Sequence, residues 1–355
     1  MKTIIRRMEK ENMEEIAGEA AEIWKAGGLV AFPTETVYGL GGNGLDSQAS
    51  RKIYAAKGRP SDNPLILHIA DTAQVEMLAQ GISETGKRLM ERFWPGPLTL
   101  IFPKAPCVPY ETTGGLDTVA IRMPSHPAAR ALLQASGLPI AAPSANVSGR
   151  PSPTLASHVI EDMNGKIEMI VDGGAVGIGV ESTIVDLTGT VPTILRPGYI
   201  TEEMLREAVG RVDVDPAVLG PVGEHVKPKA PGMKYRHYAP KAPMVLVEGG
   251  REEEAACIIQ LAAQAKAQGK RVGIIASQEN ENKYADGIVK VIGSRQDPEA
   301  VAHNLYRILR EFDEEQVDQI YAESFDEHDL GRAIMNRMKK AAGQQVVAAG
   351  RKNKI

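Results

Sequence analysis

The stretch Ala31-Phe-Pro-Thr-Glu-Thr-Val-Tyr-Gly-Leu-Gly-Gly42 turns a short apolar run into a dense set of hydroxyls and glycines. Leu29 to Phe32 reads as a buried strand, and Pro33 ends it because proline brings no backbone N–H to a ladder. Thr34, Glu35, Thr36 and Tyr38 then place four hydrogen-bonding side chains within five residues. Gly39, Gly41 and Gly42 read as a turn that permits positive φ and close approach of backbone to a ligand. An ordinary strand with a glycine-rich turn would look the same, so the rest of the chain must decide.

Outward from this stretch, residues 14–25 carry Ile16, Ala20, Ile23 and Trp24 at helical spacing and stop at Gly27-Gly28. On the other side a helix over 47–56 delivers Lys57-Gly-Arg-Pro-Ser-Asp-Asn-Pro-Leu65. Strands are expected at 64–70, 98–102, 118–123, 138–142, 167–171, 182–187 and 193–195, and helices at 83–94, 126–136, 154–163 and 202–209. Strands and helices mix without strict βαβ alternation, so residues 1–209 predict a twisted mixed sheet with flanking helices. Residues 210–243 hold six prolines and little periodicity, which marks a linker. Beyond it, strands at 244–247, 272–276, 287–292 and 319–322 alternate with helices at 252–267, 298–312 and 332–342. That pattern predicts a smaller doubly wound, Rossmann-like α/β domain over 244–345, followed by a basic tail at 346–355.

A chain of 355 residues is long for one core, which agrees with two domains. The formal charge is −4 and aromatics make up only 5%, so the composition supports neither a basic nucleic-acid binder nor a base-stacking platform. Cys107 and Cys257 form no ligand spacing and no disulfide framework, as suits a reducing cytosol. The N-terminus has no continuous apolar segment of the signal-peptide kind, and no run approaches the ~18 residues of a membrane span. A cytoplasmic protein is therefore expected.

Several chemistries fail on context. Gly81-Ile-Ser-Glu-Thr-Gly-Lys87 resembles a P-loop, but Arg88 stands where Ser or Thr should hold Mg²⁺ and no strand precedes it. No G-x-G-x-x-G opens a helix after a strand, and Ser144 lies outside any Gly-x-Ser-x-Gly pattern, without evident His and Asp partners. The histidines make no zinc spacing. More informative are four cations beside Pro and Gly: Lys57 and Arg59, two apart in what reads as extended backbone, with Arg122 and Arg196 at strand ends. Together they would form an anion pocket. The hydroxyl-rich segments Pro143-Ser-Ala-Asn-Val-Ser-Gly149 and Glu181-Ser-Thr-Ile-Val185 would line it.

Taken together, Pro33-Thr-Glu-Thr-Val-Tyr-Gly-Leu40, Lys57-Gly-Arg59 with Asn63-Pro-Leu65, Pro95-Gly-Pro-Leu-Thr99, Arg122-Met-Pro124, Pro143-Ser-Ala-Asn146 and Arg196-Pro-Gly198 resemble the YrdC/Sua5 family. The linker Ala230-Pro-Gly-Met-Lys-Tyr-Arg-His-Tyr-Ala-Pro240 and the C-terminal half are similar to its longer, Sua5-type members. The resemblance implies threonylcarbamoyl-AMP synthesis: L-threonine, bicarbonate and ATP give L-threonylcarbamoyladenylate and pyrophosphate, a nucleotidyl transfer, for the t6A modification of tRNA position 37. It implies that Thr36, His68, Arg122, Ala142 and Ser182 surround L-threonine, Ala142 through its backbone. It places Arg59, Asn63, Thr118, Ser144, Ser152, Arg196 and Tyr235 on ATP, with Lys57 near the phosphates and Lys57 and Arg59 as the catalytic cations. It also implies Mg²⁺ bound through the phosphates, no metal held by the protein itself, and an indirect link to tRNA through the downstream t6A transferase machinery. The linker's aromatics and cations suggest an active-site lid. A non-enzymatic RNA-binding module and carbamoyl transfer to a different acceptor are the competing readings.

Overall fold

In a computed structural model, residues 1–219, 229–231 and 237–350 are described. The chain divides into two compact units, residues 1–148 with 152–235 and residues 149–151 with 236–355.

Among the described residues, the first unit is built on one sheet of eleven strands. They are β1 (Ile4–Arg7), β2 (Val30–Phe32), β3 (Gly39–Asn43), β4 (Ile66–His68), β5 (Leu98–Pro103), β6 (Thr118–Arg122), β7 (Ile140–Ala141), β8 (Met169–Asp172), β9 (Thr183–Asp186), β10 (Thr193–Arg196) and β11 (Asp213–Val214). Their order across the sheet is β1-β8-β2-β3-β7-β4-β6-β5-β9-β10-β11. Parallel neighbours such as β4–β6 and β5–β9 alternate with antiparallel ones such as β2–β3, β5–β6 and β9–β10, as the mixed sequence pattern predicts.

The two faces of this sheet differ. One carries the large core that includes Leu40, Leu67, Leu100, Ile121 and Val185. On the other face, helices Met13–Lys25 and Pro127–Ser136 supply Trp24, Leu132 and Leu133 to a second core with Val30, Phe32 and Ile140. Past β7 that second face changes character. His68 pairs directly with Ile140 and so shares its face, as does Ile66 two residues earlier. From there, among the described residues, Ile66, Ile101, Ala120, Ile184, Leu195 and Ala230 make a small apolar cluster.

The opening stretch departs from its reading as a turn. Gly39–Asn43 is a strand antiparallel to β2, and its glycines are selected by packing. A Cβ on Gly41 would lie 2.7 Å from Ile140, 2.8 Å from Phe32 and 3.0 Å from Trp24, whose indole donates to Gly41 O at 2.9 Å. Lys57 also departs from expectation: it ends the helix Ser47–Lys57, where Gly58 closes the C-terminus at φ 61°. The edge strands β1 and β11 were not foreseen, because each is short and carries charge.

The second unit contains β12 (Met244–Glu248), β13 (Val272–Ser277), β14 (Ile288–Gly293), β15 (Gln319–Glu323) and β16 (Val346–Ala348). All pair in parallel, in the order β14-β13-β15-β12-β16, with helices Arg251–Ala267, Pro298–Glu314 and Leu330–Ala341 as crossovers. Residues 346–348, read from the sequence as tail, add the last strand beside β12. No helix among the described residues is long and apolar enough to cross a membrane.

Candidate functional site

Strand register gathers the predicted threonine residues at one end of the large sheet. His68 ends β4 and pairs with Arg122, which ends the parallel β6. Arg122 pairs in turn with Thr99 at the start of β5. Ser182 directly precedes β9, whose Thr183 pairs with Leu98, and its hydroxyl lies 2.8 Å from that of Thr99. Arg196 ends β10 and donates from Nη2 to Ser182 Oγ at 3.1 Å and from Nε to Ser182 O at 3.0 Å. Two of the four predicted cations, Arg122 and Arg196, thus border the Thr99–Ser182 hydroxyl pair.

The loop after β2 closes this end. Thr36 is fully buried and its hydroxyl accepts from Arg122 Nη1 at 2.9 Å, while Thr34 Oγ lies 2.9 Å from it and donates to Val37 O at 2.6 Å. Glu35 Oε1 approaches Arg122 Nη2 at 2.6 Å. Burial, with the nearby Arg122 charge second, drives the His68 imidazole down to about 3, so it is neutral at physiological pH. Its Nδ1 meets Ile66 O at 3.1 Å, and its ring stands edge-on to Phe32 at 6.3 Å. Ala142 N donates to Ile66 O at 2.9 Å, so a backbone role for Ala142 falls to its carbonyl.

The predicted nucleotide residues spread further. Thr118, Ala120 and Arg122 share one face of β6. Four residues of strand put Thr118 about 13 Å from Arg122. Ile66 pairs with Ala120, so Asn63 and Arg59, which lead into β4, lie toward the Thr118 end. Arg59 donates to Asn63 O at 3.2 Å and Pro64 O at 3.0 Å, and Asn63 is buried with its Oδ1 making no hydrogen bond. Lys57 is buried, and its ammonium binds the carbonyls of Ser144 and Asn146, the latter at 2.5 Å. Ser144 Oγ donates to Asn146 Oδ1 and Ser152 Oγ to Glu181 Oε1, each at 2.6 Å. Tyr235 lies outside the described residues.

Sequence singled out Glu35 as a hydrogen-bonding side chain but gave it no role, and gave none to Thr99 or Glu181. All three belong to quoted segments, but Arg122, the partner of Glu35, and Ser182, the partner of Thr99, lie 87 and 83 residues away, information only the strand register carries.

Residues 22–198 match the family model described as "Telomere recombination" for Sua5, YciO and YrdC proteins, and residues 200–343 match the model described as "Threonylcarbamoyl-AMP synthase, C-terminal domain". The threonylcarbamoyl-AMP synthase of Pyrococcus abyssi is 51% identical over 92% of this chain and 94% of its own length. That of Bacillus subtilis is 52% identical over 93% of both chains. The chain belongs to the Sua5/YrdC family. A solved structure of P. abyssi Sua5 complexed with L-threonine has 48% sequence identity, covers 98% of this chain and all of its own, and superposes with a TM-score of 0.92. The resemblance first seen in scattered motifs therefore extends through both units.

Proposed function

We propose that this chain is a threonylcarbamoyl-AMP synthase that joins L-threonine, bicarbonate and ATP into L-threonylcarbamoyladenylate and pyrophosphate, by nucleotidyl transfer. The observation that carries this reading is the similarity to synthases of that name along more than nine-tenths of the chain. Thr36, His68, Arg122, Ala142 and Ser182 take the amino acid at the end of β4 and β6. Neutral His68 neither repels an ammonium group nor competes with Arg122 for a carboxylate. ATP runs along the face of β6 toward Thr118 and Asn63, over the apolar Ile66–Ala120 cluster. Arg59 and Arg196 offset phosphate charge, and Ser144 and Ser152 contact the nucleotide.

The threonine amine, freed of its ammonium proton, attacks the carbon of CO₂ with loss of a second proton, or that of bicarbonate with loss of water, and an oxygen of the resulting carbamate attacks the α-phosphorus as the bond to the pyrophosphate oxygen breaks and pyrophosphate leaves. Such a transfer needs alignment and charge neutralisation rather than a covalent protein nucleophile. Lys57 enters this scheme through the loop it holds: two carbonyl contacts fix Ser144 and Asn146 beside β3, where Gly39 bridges Ser144. Mg²⁺ fits as a passenger on the triphosphate. Phosphate oxygens would carry it, and it would supply charge neutralisation there. Residues 210–243 act as a lid in this reading, with 1–209 and 244–345 as separate domains; of the lid, 220–228 and 232–236 lie outside the described residues, and Ala230 is buried in the apolar cluster. The adenylate then supplies the t6A machinery acting on tRNA in the cytoplasm.

Incubation with ATP, bicarbonate and L-threonine should yield the adenylate by mass detection, with equimolar pyrophosphate. Lys57→Ala should abolish that release in a protein that stays folded. ATP consumption that ignores threonine would refute the reading.

A further inference from the structure

The Arg122–Glu35 pair is close but poorly satisfied. Its atoms approach to 2.6 Å, yet Arg122 Nε and Nη2 and both Glu35 carboxylate oxygens are buried without an aligned hydrogen bond. Only Nη1 of the guanidinium makes one, to Thr36. Buried charged atoms left in this condition are costly, and native structures normally complete their hydrogen bonds. The Nε–Nη2 edge, which makes no aligned hydrogen bond, is the planar fork that binds a carboxylate in bidentate fashion. Beside it, Glu35 offers two acceptor oxygens on a loop held in place by Ile178 N donating to Glu35 O at 2.8 Å and Gly179 N to Thr36 O at 3.1 Å.

A free α-amino acid carries an anion and a cation on adjacent atoms. We propose that Glu35 recognises the α-ammonium group of the amino acid substrate while the Nε–Nη2 edge of Arg122 takes its α-carboxylate. Glu35 is thus a specificity residue for the zwitterion, and its role rests on the synthase reading given above. The contact has a defined place in the reaction. Once the amine becomes a carbamate the positive charge is gone, so Glu35 stabilises bound substrate and not the later anionic species. An interaction lost before the transition state lowers KM for threonine and gives no help to kcat.

The test uses the full-length E35Q protein and two ligands. One is L-threonine; the other is 3-hydroxybutyrate, which keeps the carboxylate and hydroxyl but lacks the amine. Loss of one charged hydrogen bond should raise the threonine KM about 10- to 100-fold with kcat equal to or above the parental value. Calorimetric affinity for 3-hydroxybutyrate should stay at the parental value, and E35D should recover part of the threonine affinity. Equal weakening of both ligands would show a structural ion pair and overturn the proposal, as would a threonine KM within twofold of the parent. If E35Q does not fold, E35D carries the same two-ligand comparison. Absence of threonine-dependent pyrophosphate release in the unaltered protein would refute the synthase reading itself. Release by the unaltered protein, with a parental threonine KM in the variant, would refute only the role of Glu35.

Discussion

Each unit buries a carboxylate–arginine cluster, and the two are finished to different degrees. In the second unit, at the carboxyl ends of β13 and β15, Glu323 accepts from Ser277 at 2.7 Å, Asn280 at 3.1 Å, Tyr284 at 2.7 Å and Arg295 at 2.6 Å. Arg295 also donates to Glu254 at 2.7 Å, and Glu254 further accepts from Ser324 and from Gly249 N. Burial pushes the Glu254 carboxyl up, against the hydrogen bonds of Ser324 and Arg295 that pull it down. Here every charged group has aligned partners, and one neutral atom, Asn280 Oδ1, is left over. Around Arg122 and Glu35 the leftover atoms are the charged ones. A cluster that completes itself holds a domain together; one that leaves charges incomplete is arranged for something that arrives later.

The comparison breaks first at Arg122. Arg122→Ala should lower kcat/KM for threonine by about 10³-fold or more, since it removes the anion receptor and leaves Glu35 buried without a counter-ion. Pyrophosphate release measures it, and a loss below tenfold would equate this pair with a surface salt bridge. Glu323→Ala should act in the opposite sense: about 3–5 kcal/mol less stability in urea unfolding, because Arg295 and three neutral donors lose their acceptor, with threonine affinity unchanged. A smaller effect comes from His68. Its imidazole is held near 3 in the folded protein and titrates at about 6.5 when unfolded, so only the unfolded state gains a proton as pH falls below 6.5. Its contribution is complete above pH 6.5 and should shrink by about 2 kcal/mol between pH 6.5 and 5. A His68→Gln protein should lack that part of the pH dependence in thermal or urea unfolding; an identical profile would remove His68 from the account.

Sequence carries the fold where local pattern and tertiary demand agree. The apolar run at Leu29 to Phe32, the amphipathic helices and the regular alternation after residue 244 are of this kind. It fails at Gly39–Asn43, where glycines with little strand preference form a strand because Trp24, Phe32 and Ile140 occupy the space that side chains would need. It fails at Lys57 too: Gly and Pro nearby suggest extended chain, yet Gly58 serves as a helix C-cap. The site was legible as a set of residue types through family motifs. What local pattern lacked was register, the pairing of His68 with Arg122 and of Arg122 with Thr99, which turns separate motifs into one end of a sheet.

The two serines of the proposed nucleotide path, Ser144 and Ser152, acquire a direction from their neighbours. Asn146 Nδ2 donates to Val147 O at 2.8 Å, which fixes the amide so that its oxygen faces Ser144 and receives the hydroxyl proton. Ser152 likewise gives its proton to Glu181. Both hydroxyls therefore present lone pairs outward. Such serines read groups that carry hydrogen, such as a ribose hydroxyl, an adenine amine or water on a metal ion, and they turn away bare phosphate oxygens. In the proposed reading these two loop serines offer acceptors to the sugar and base, and the arginines take the phosphates.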